Sequence, residues 1–239
     1  MGGHLGALRG PAGGVGVVAA MTIEERAACI VASRAKRAVD IAFAATGLCV
    51  TAPLWLVAAA AILIDDGRPV WHRQARSGLR GREFFVTKFR SMVVDADKDG
   101  ARQAVTGDRR ITRVGRWLRA TALDEAPQLW NILVGDMSVV GPRALRPGEI
   151  EAEGPGALVR LEDVPGFTVR SLVRPGLTGV AQIHAPRRLP RHRKFRYDRL
   201  YITRQSILVD AGLIFQSIWV SLTGDWERRG RDRRRHQHQ

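Results

Sequence analysis

The sequence predicts a mostly helical α+β protein: a re-entrant, proline-broken membrane helix, then a compact cytoplasmic domain with a small β-hairpin and interfacial amphipathic helices. Three observations predict it. A charge-free apolar run lies in the first third of the chain, short alternating segments with glycines between them follow it, and helical periodicity returns later.

Residues 1–32 form an N-terminal extension. It is glycine-rich up to residue 20, and the stretch Val15–Ala20 is too short and glycine-broken for a signal-peptide core, so this part reads as flexible. Helix-forming residues (Thr22, Ile23, Glu24, Glu25, Arg26) start directly after Met21, which is a second candidate start.

Residues 33–66 hold the membrane segment. From Ile41 to Ile64 no residue is charged, and Asp40 and Asp65 bound the run. As a helix it measures about 36 Å, enough for a hydrocarbon core of about 30 Å. A buried core helix of that length would normally keep a polar stripe, which is absent here. Pro53 lies mid-run, where it removes a backbone hydrogen bond and bends the helix, with Thr51 placed to bond a freed carbonyl. Arg34, Lys36 and Arg37 mark one flank as cytoplasmic, and Arg68, Arg73, Arg76, Arg80 and Arg82 mark the other. Two cytoplasmic flanks favour a chain that turns at Pro53 and returns; a single proline-kinked span is the alternative.

Residues 67–225 form the main domain. Val70–Arg73 and Phe84–Lys88 read as strands, with Gly78 and Gly81 in the turn between them, a β-hairpin. Neither GxGxxG nor GxxxxGK[ST] occurs, so this is not a glycine-rich phosphate loop. Helical periodicity appears in Ile111–Leu118 and Leu123–Leu133, and Leu145–Val173 is mixed and punctuated by proline and glycine. A last helix, Ser206–Leu222, places Ile207, Ala211, Ile214, Phe215, Ile218 and Leu222 on one face. It suits either an in-plane membrane helix or core packing. Residues 226–239 form a basic tail, with six arginines against Glu227 and Asp232, read as disordered and attracted to acidic lipid.

Composition narrows the function classes. The 239 residues are 45% hydrophobic, which excludes a disordered protein and a small disulfide scaffold. With 38 Lys+Arg against 23 Asp+Glu the net charge is +15, which points to an anionic partner: nucleic acid, an acidic lipid surface or a phosphorylated small molecule. Cys29 and Cys49 lie in apolar surroundings without metal-ligand spacing and read as buried thiols. His184 and His192 read as surface residues.

The segment Thr121-Ala-Leu-Asp124-Glu125-Ala-Pro127-Gln128 opens an apolar helix with a capping-box pattern, placing Asp124 and Glu125 in its first turn. The acids either cap the helix or carry chemistry. Lys88, Arg90, Arg116, Arg119 and Arg143 surround them along the chain. Carboxylates among cations suit phosphoryl chemistry: a carboxylate holds Mg²⁺ or attacks phosphorus, and arginines neutralise phosphate oxygens. Asp136 is either a second oxygen ligand or a cap for the turn at Gly135.

Several ordered blocks, spanning about residues 33–223, together resemble the bacterial sugar transferases, the monotopic polyprenyl-phosphate phosphoglycosyl transferases. They are Lys36-Arg37-x-x-Asp40, Lys88-Phe-Arg-Ser-Met92, the run 112–119, Leu-Asp-Glu-Ala-Pro-Gln-Leu-Trp-Asn (123–131), Gly-Asp-Met-Ser-Val-Val-Gly-Pro-Arg (135–143) and Arg-Pro-Gly-Leu-Thr-Gly-Val-Ala-Gln (174–182). The resemblance implies transfer of a sugar-1-phosphate from a nucleotide sugar, usually a UDP-sugar, to undecaprenyl phosphate with release of UMP. It makes 67–225 the catalytic domain on the cytoplasmic face of the bacterial inner membrane, in the first membrane step of exopolysaccharide, O-antigen or glycoconjugate synthesis. Asp124 is then the nucleophile that forms a covalent phosphosugar, and Glu125 orients groups or relays protons. Mg²⁺ sits near Asp124, and Lys88, Arg90, Arg119, Gln128 and Arg143 hold phosphates or support the dyad.

Two departures stand out. Ala144 replaces the second proline of the family's Gly-Pro-Arg-Pro, which predicts a looser loop around Arg143, and residues 183–196 diverge from the family pattern. The resemblance implies no nucleic-acid partner, and no nucleic-acid-binding motif is present; a homo-oligomer is compatible with it. The rival readings are a membrane-anchored, non-catalytic binder of acidic lipid or nucleic acid, and a membrane phosphohydrolase in which water attacks the intermediate.

Overall fold

A computed structural model describes residues 21–96, 98, 108–152, 158–186 and 189–223. The flexible start (1–20) and the basic tail (226–239) predicted above therefore lie outside the described residues. Helix α1 (Ile23–Ala32) begins at a true capping box, in which Thr22 and Glu25 bond each other's backbone N–H. Helix α2 (Arg34–Asp66) follows after Ser33, and its 33 residues make it about 50 Å long. Strands β1 (Trp71–Ser77) and β2 (Glu83–Phe89) pair antiparallel, with Trp71 opposite Phe89 and Ser77 opposite Glu83, which is the predicted hairpin.

Helix α3 (Arg113–Ala120), a 3₁₀ turn (Leu123–Gln128) and helix α4 (Leu129–Val134) come next. Strand β3 (Ser138–Val140) pairs in parallel with a later strand, and β4 (Ile150–Ala152) forms a second hairpin with β5 (Leu158–Arg160). Helix α5 (Phe167–Arg170) leads to β6 (Gly176–Thr178), the partner of β3. Helices α6 (Val180–His184), α7 (Arg191–Arg204) and α8 (Ile207–Thr223) close the chain.

Two apolar clusters tie the hydrophobic helix to this domain. Ala44 joins Leu129, Ile132, Val139, Val140, Ile202 and Leu213 in the larger core. Ala58 and Ile62 join Phe89, Leu118, Leu123 and Ala126 in the smaller one. The buried positions of α2 are Lys36, Asp40, Ala44, Ala58 and Ile62, and Gly47 lies against Leu129 between them. Steps of three and four residues put these on one stripe along the helix. The rest of α2 faces outward, with Val50, Leu54, Leu56, Val57 and Ile64 exposed.

Several expectations need correction. One helix runs continuously through Pro53 in place of two separate helices. Thr51 Oγ1 donates to the Gly47 carbonyl at 2.7 Å, two residues before the Cys49 carbonyl that Pro53 leaves without its donor. Cys29 and Cys49 are exposed, not buried. Their apolar neighbours in sequence belong largely to outward helix faces, and the core takes Ala27, Ile30 and Ala44 instead. On α8 the predicted apolar face points mostly outward: Ile207, Phe215 and Ile218 are exposed, while Asp210, Leu213 and Val220 are buried. The outward face removes the core-packing alternative for most of that stripe.

Candidate active site

The 3₁₀ turn is anchored through its apolar residues. Leu123 and Ala126 pack against Phe89 of the hairpin, Leu118 of α3 and Ala58 and Ile62 of α2, so the acids between them are set against one rigid cluster. The predicted Thr121 capping box does not form. Thr121 Oγ1 instead donates back to the Trp117 and Leu118 carbonyls, closing α3, and Ala122 in the left-handed region (φ 56°) precedes the turn. A threonine ending one helix finds the carbonyls three and four residues back within reach, and these compete with a forward cap. The acids still fall in the first turn, as predicted.

Lys88, on β2, donates to Glu125 Oε1 at 2.7 Å, and Arg143 Nη2 stands 3.5 Å from the same oxygen. Asp124 is 8% exposed. Burial, then the charge of Glu125, pushes the Asp124 carboxyl up to about 6, against the pull of Lys88, Arg119 and Arg143. Burial opposes ionisation of Glu125 as well, but Lys88 and Arg143, with Arg76 behind them, hold it well below the usual carboxylate range. One acid is thus a fixed counter-ion, and its neighbour is a desolvated carboxylate with a raised pKa, the pattern of a nucleophile or base.

Of the other predicted residues, Gln128 is 4% exposed and lines a cleft with Lys88, Glu125 and Arg143, and its Nε2 has no hydrogen-bond partner among the described residues. Arg119 is exposed, reaches Ser91 Oγ at 3.5 Å and acts on Asp124 through its charge. Arg90 is committed elsewhere: it pairs with Asp66 at 2.7 Å and donates to the Asp66 and Gly67 carbonyls, fixing the end of α2. Asp136 follows the end of α4, where its backbone N–H donates to the Asn131 carbonyl and its Oδ2 lies 3.5 Å from Asn131 Nδ2. His184 is exposed.

The loop carrying Arg143 is held despite Ala144. The carbonyls of Arg143, Ala144 and Leu145 accept from Arg170, Arg76 and the Ser77 N–H respectively. Arg76 is the residue that sequence reasoning missed; it lines the cleft beside Lys88, Glu125, Gln128 and Arg143. The signal was the strand alternation, which puts Arg76 and Lys88 on one face of the hairpin.

Among the described residues no group of three acids, histidines or cysteines is placed to hold a metal ion. With Glu125 engaged by Lys88, Asp124 is the carboxylate left to bind one. That set fits Mg²⁺ held by one carboxylate plus substrate phosphates and water, the usual arrangement for this ion.

Residues 31–224 match the bacterial sugar transferase family. The chain is 41% identical over 189 residues to an undecaprenyl-phosphate glucose phosphotransferase of Komagataeibacter xylinus, covering 77% of this chain and 35% of the relative. It is 35% identical over 192 residues to a UDP-N-acetylgalactosamine-undecaprenyl-phosphate N-acetylgalactosaminephosphotransferase of Aeromonas hydrophila, covering 79% and 44%. It is 41% identical over 194 residues to the exopolysaccharide production protein PSS of Rhizobium leguminosarum bv. phaseoli, covering 79% and 95%. The chain thus spans less than half of the first two relatives and nearly all of the third.

Proposed function

The chain belongs to the bacterial sugar transferase family, and on that premise we propose that it transfers a sugar-1-phosphate from a UDP-sugar to undecaprenyl phosphate, releasing UMP, for exopolysaccharide synthesis. Relatives named for glucose and for N-acetylgalactosamine leave the sugar open. The observation that carries the reading is Asp124, a buried carboxylate with a raised pKa beside a cation-held Glu125.

In the first step an Asp124 oxygen attacks the sugar-bearing phosphorus. A bond from that oxygen to phosphorus forms, the bond to the bridging oxygen breaks, and UMP leaves with the electron pair. In the second step an oxygen of undecaprenyl phosphate attacks the same phosphorus. The acyl-phosphate bond breaks, returning its electron pair to Asp124, and undecaprenyl-diphospho-sugar departs. Lys88, Arg119 and Arg143 stabilise charge on the phosphate oxygens in both steps. Glu125, held ionised by Lys88 and Arg143, positions those cations rather than relaying a proton. Mg²⁺, held by Asp124 with donor phosphate oxygens, would supply further neutralisation of the diphosphate.

Anchoring follows from α2, whose length and composition suffice to cross a membrane. Both of its ends are fastened to the domain, Lys36 to Asp210 and Asp66 to Arg90, which favours a re-entrant arrangement over a single span. The domain then sits on the cytoplasmic face of the inner membrane, with the dyad near the headgroups where the lipid acceptor waits.

The test is Asp124→Asn. The variant is expected to stop UMP release from UDP-glucose and UDP-N-acetylgalactosamine in the presence of undecaprenyl phosphate while remaining membrane-bound. Wild-type protein quenched with its donor alone is expected to carry a sugar-phosphate adduct by mass spectrometry. Full turnover by the variant removes Asp124 from its role, and free sugar phosphate released to water without lipid acceptor marks a phosphohydrolase instead.

A further inference from the structure

Arg76 has no role in the mechanism above, yet it lines a cleft with Lys88, Glu125 and Arg143. It sits next to the last residue of β1 and pairs with Phe84, and strand alternation brings it to the hairpin face that also carries Gln74 and Lys88. It is half-buried and lines the cleft with Lys88, Glu125, Gln128 and Arg143. Its guanidinium donates to the Ala144 carbonyl (Nη1, 3.2 Å) and to Gln74 Oε1 (Nη2). Both acceptors are neutral, and no carboxylate among the described residues lies within ion-pair distance of it.

The local charge is unbalanced. Glu125 is the anion that Lys88 and Arg143 share in contact, while Arg76 feels Glu125 and Glu149 only from beyond ion-pair distance, so three cations crowd one engaged carboxylate. Burial, then repulsion by Arg143 and Arg146, lowers the Arg76 pKa to about 10 against the pull of Glu125 and Glu149. The Gln128 Nε2, buried and unpartnered, adds an unused donor in the same cleft. An unpaired guanidinium and an unused amide N–H together call for an acceptor-rich anion.

The position selects which anion. Arg76 lines the cleft together with Glu125, Lys88 and Arg143, and Asp124 is not among the residues lining it. Arg76 therefore lies on the Glu125 side of the dyad. We infer that Arg76 binds the nucleotide-side phosphate of the donor, the one that leaves as the nucleoside monophosphate; the inference rests on the transferase reading above. As the bond between the sugar-bearing phosphorus and the bridging oxygen breaks, its electron pair moves onto the leaving phosphate. A guanidinium there offsets the growing charge and holds the product until it departs.

The experiment compares wild type with Arg76→Gln and Arg76→Lys. It measures the KM for UDP-glucose, the KM for undecaprenyl phosphate, and competition by UMP and by uridine. Arg76→Gln is expected to raise the donor KM about tenfold, about 1.4 kcal/mol, and to leave the acceptor KM unchanged. It should also collapse the preference for UMP over uridine. Arg76→Lys, which keeps the charge but not the two-pronged contact, should fall between, and serves alone if Arg76→Gln does not fold. An unchanged donor KM with UMP still preferred over uridine as in wild type overturns the inference, as does a rise confined to the acceptor KM. If wild type itself releases no UMP, the transferase reading fails instead, and UMP and uridine binding still tests Arg76 by direct titration.

Discussion

Asp124 and Glu125 are neighbours in sequence with opposite electrostatic fates. Glu125 accepts from Lys88 and stands near Arg143, so ionisation is favoured; Asp124 is buried beside that fixed negative charge, so ionisation is opposed. A raised pKa gives a more basic oxygen, which is an advantage for attack on phosphorus once the proton is lost. If Asp124 is the nucleophile, as proposed, it must be ionised to attack, and the donor half-reaction is expected to rise about tenfold per pH unit below about 6 and to level off above it. Single-turnover UMP release between pH 5 and 8 measures this, and a flat profile across that range rules out Asp124 ionisation as the controlling event. The stability linkage has the opposite sign. The folded pKa lies above the unfolded one, so the fold favours the protonated acid, and that contribution is lost as pH rises through about 6. Above that pH the fold carries Asp124 ionised and buried, at a cost in stability. The site thus holds its reactive group at the expense of stability.

At the scale of elements, the loop that presents Arg143 is fastened by glycines. Gly141 N–H donates to the Thr178 carbonyl and Gly176 N–H to the Pro142 carbonyl, so β3 and β6 are clasped where the Arg143 loop begins. A Cβ on Gly176 would meet Gly141 N at 2.1 Å, and one on Gly179 would meet Gly141 O at 2.2 Å, both against backbone that has nowhere to shift. Gly176→Ala is therefore expected to destabilise the domain by about 2 kcal/mol or more and to lower activity beyond the loss of folded protein. Thermal unfolding and kcat per folded molecule check this; wild-type values for both would show that the clasp is loose. The 174–182 motif announces itself in sequence, but that clasp is a contact across 35 residues and needs the strand pairing to be seen. The long apolar helix, the hairpin and α8 are readable because each has an uninterrupted period. Helix α7 is not, because its buried residues Phe195, Asp198, Tyr201 and Ile202 are embedded among arginines and one of the anchors is an acid paired to Arg170. The dyad, Lys88 and Arg143 were within reach of sequence. Arg90 was misplaced because β2 ends at Phe89, so the alternation that would set Arg90 beside Lys88 stops one residue earlier.

Across the whole molecule, the hydrophobic helix and the candidate active site are tied together by contacts at both ends of the helix. Near the start of α2, Lys36 Nζ pairs with Asp210 at 2.9 Å and donates to the Val140 carbonyl, and Asp40 accepts from Ser138 Oγ and the Val139 N–H. Tyr201 donates to Asp210, its phenol kept protonated by burial and by that carboxylate. These groups are buried, and removing one partner leaves a charge unpaired at a cost of about 3–5 kcal/mol. They brace β3, which runs directly into Gly141, Pro142 and Arg143. At the other end, Arg90 holds Asp66 and Asp65 accepts from the Val114 N–H at the start of α3. This fastening at both ends is what the re-entrant reading proposed above rests on. On that reading the outward apolar residues Val50, Leu54, Leu56 and Val57 dip into one leaflet, and Leu208, Phe215 and Trp219 of α8 supply a second apolar face. The expected outcome is that single cysteines at Arg34 and Arg68, in a chain whose exposed Cys29 and Cys49 are replaced by serine, react with a membrane-impermeant maleimide from the same side. Both should label in inside-out vesicles and neither in right-side-out vesicles. Labelling from opposite sides would mean that α2 crosses the bilayer, and then the contacts at Asp210 and Arg90 could not both exist in the membrane-bound protein.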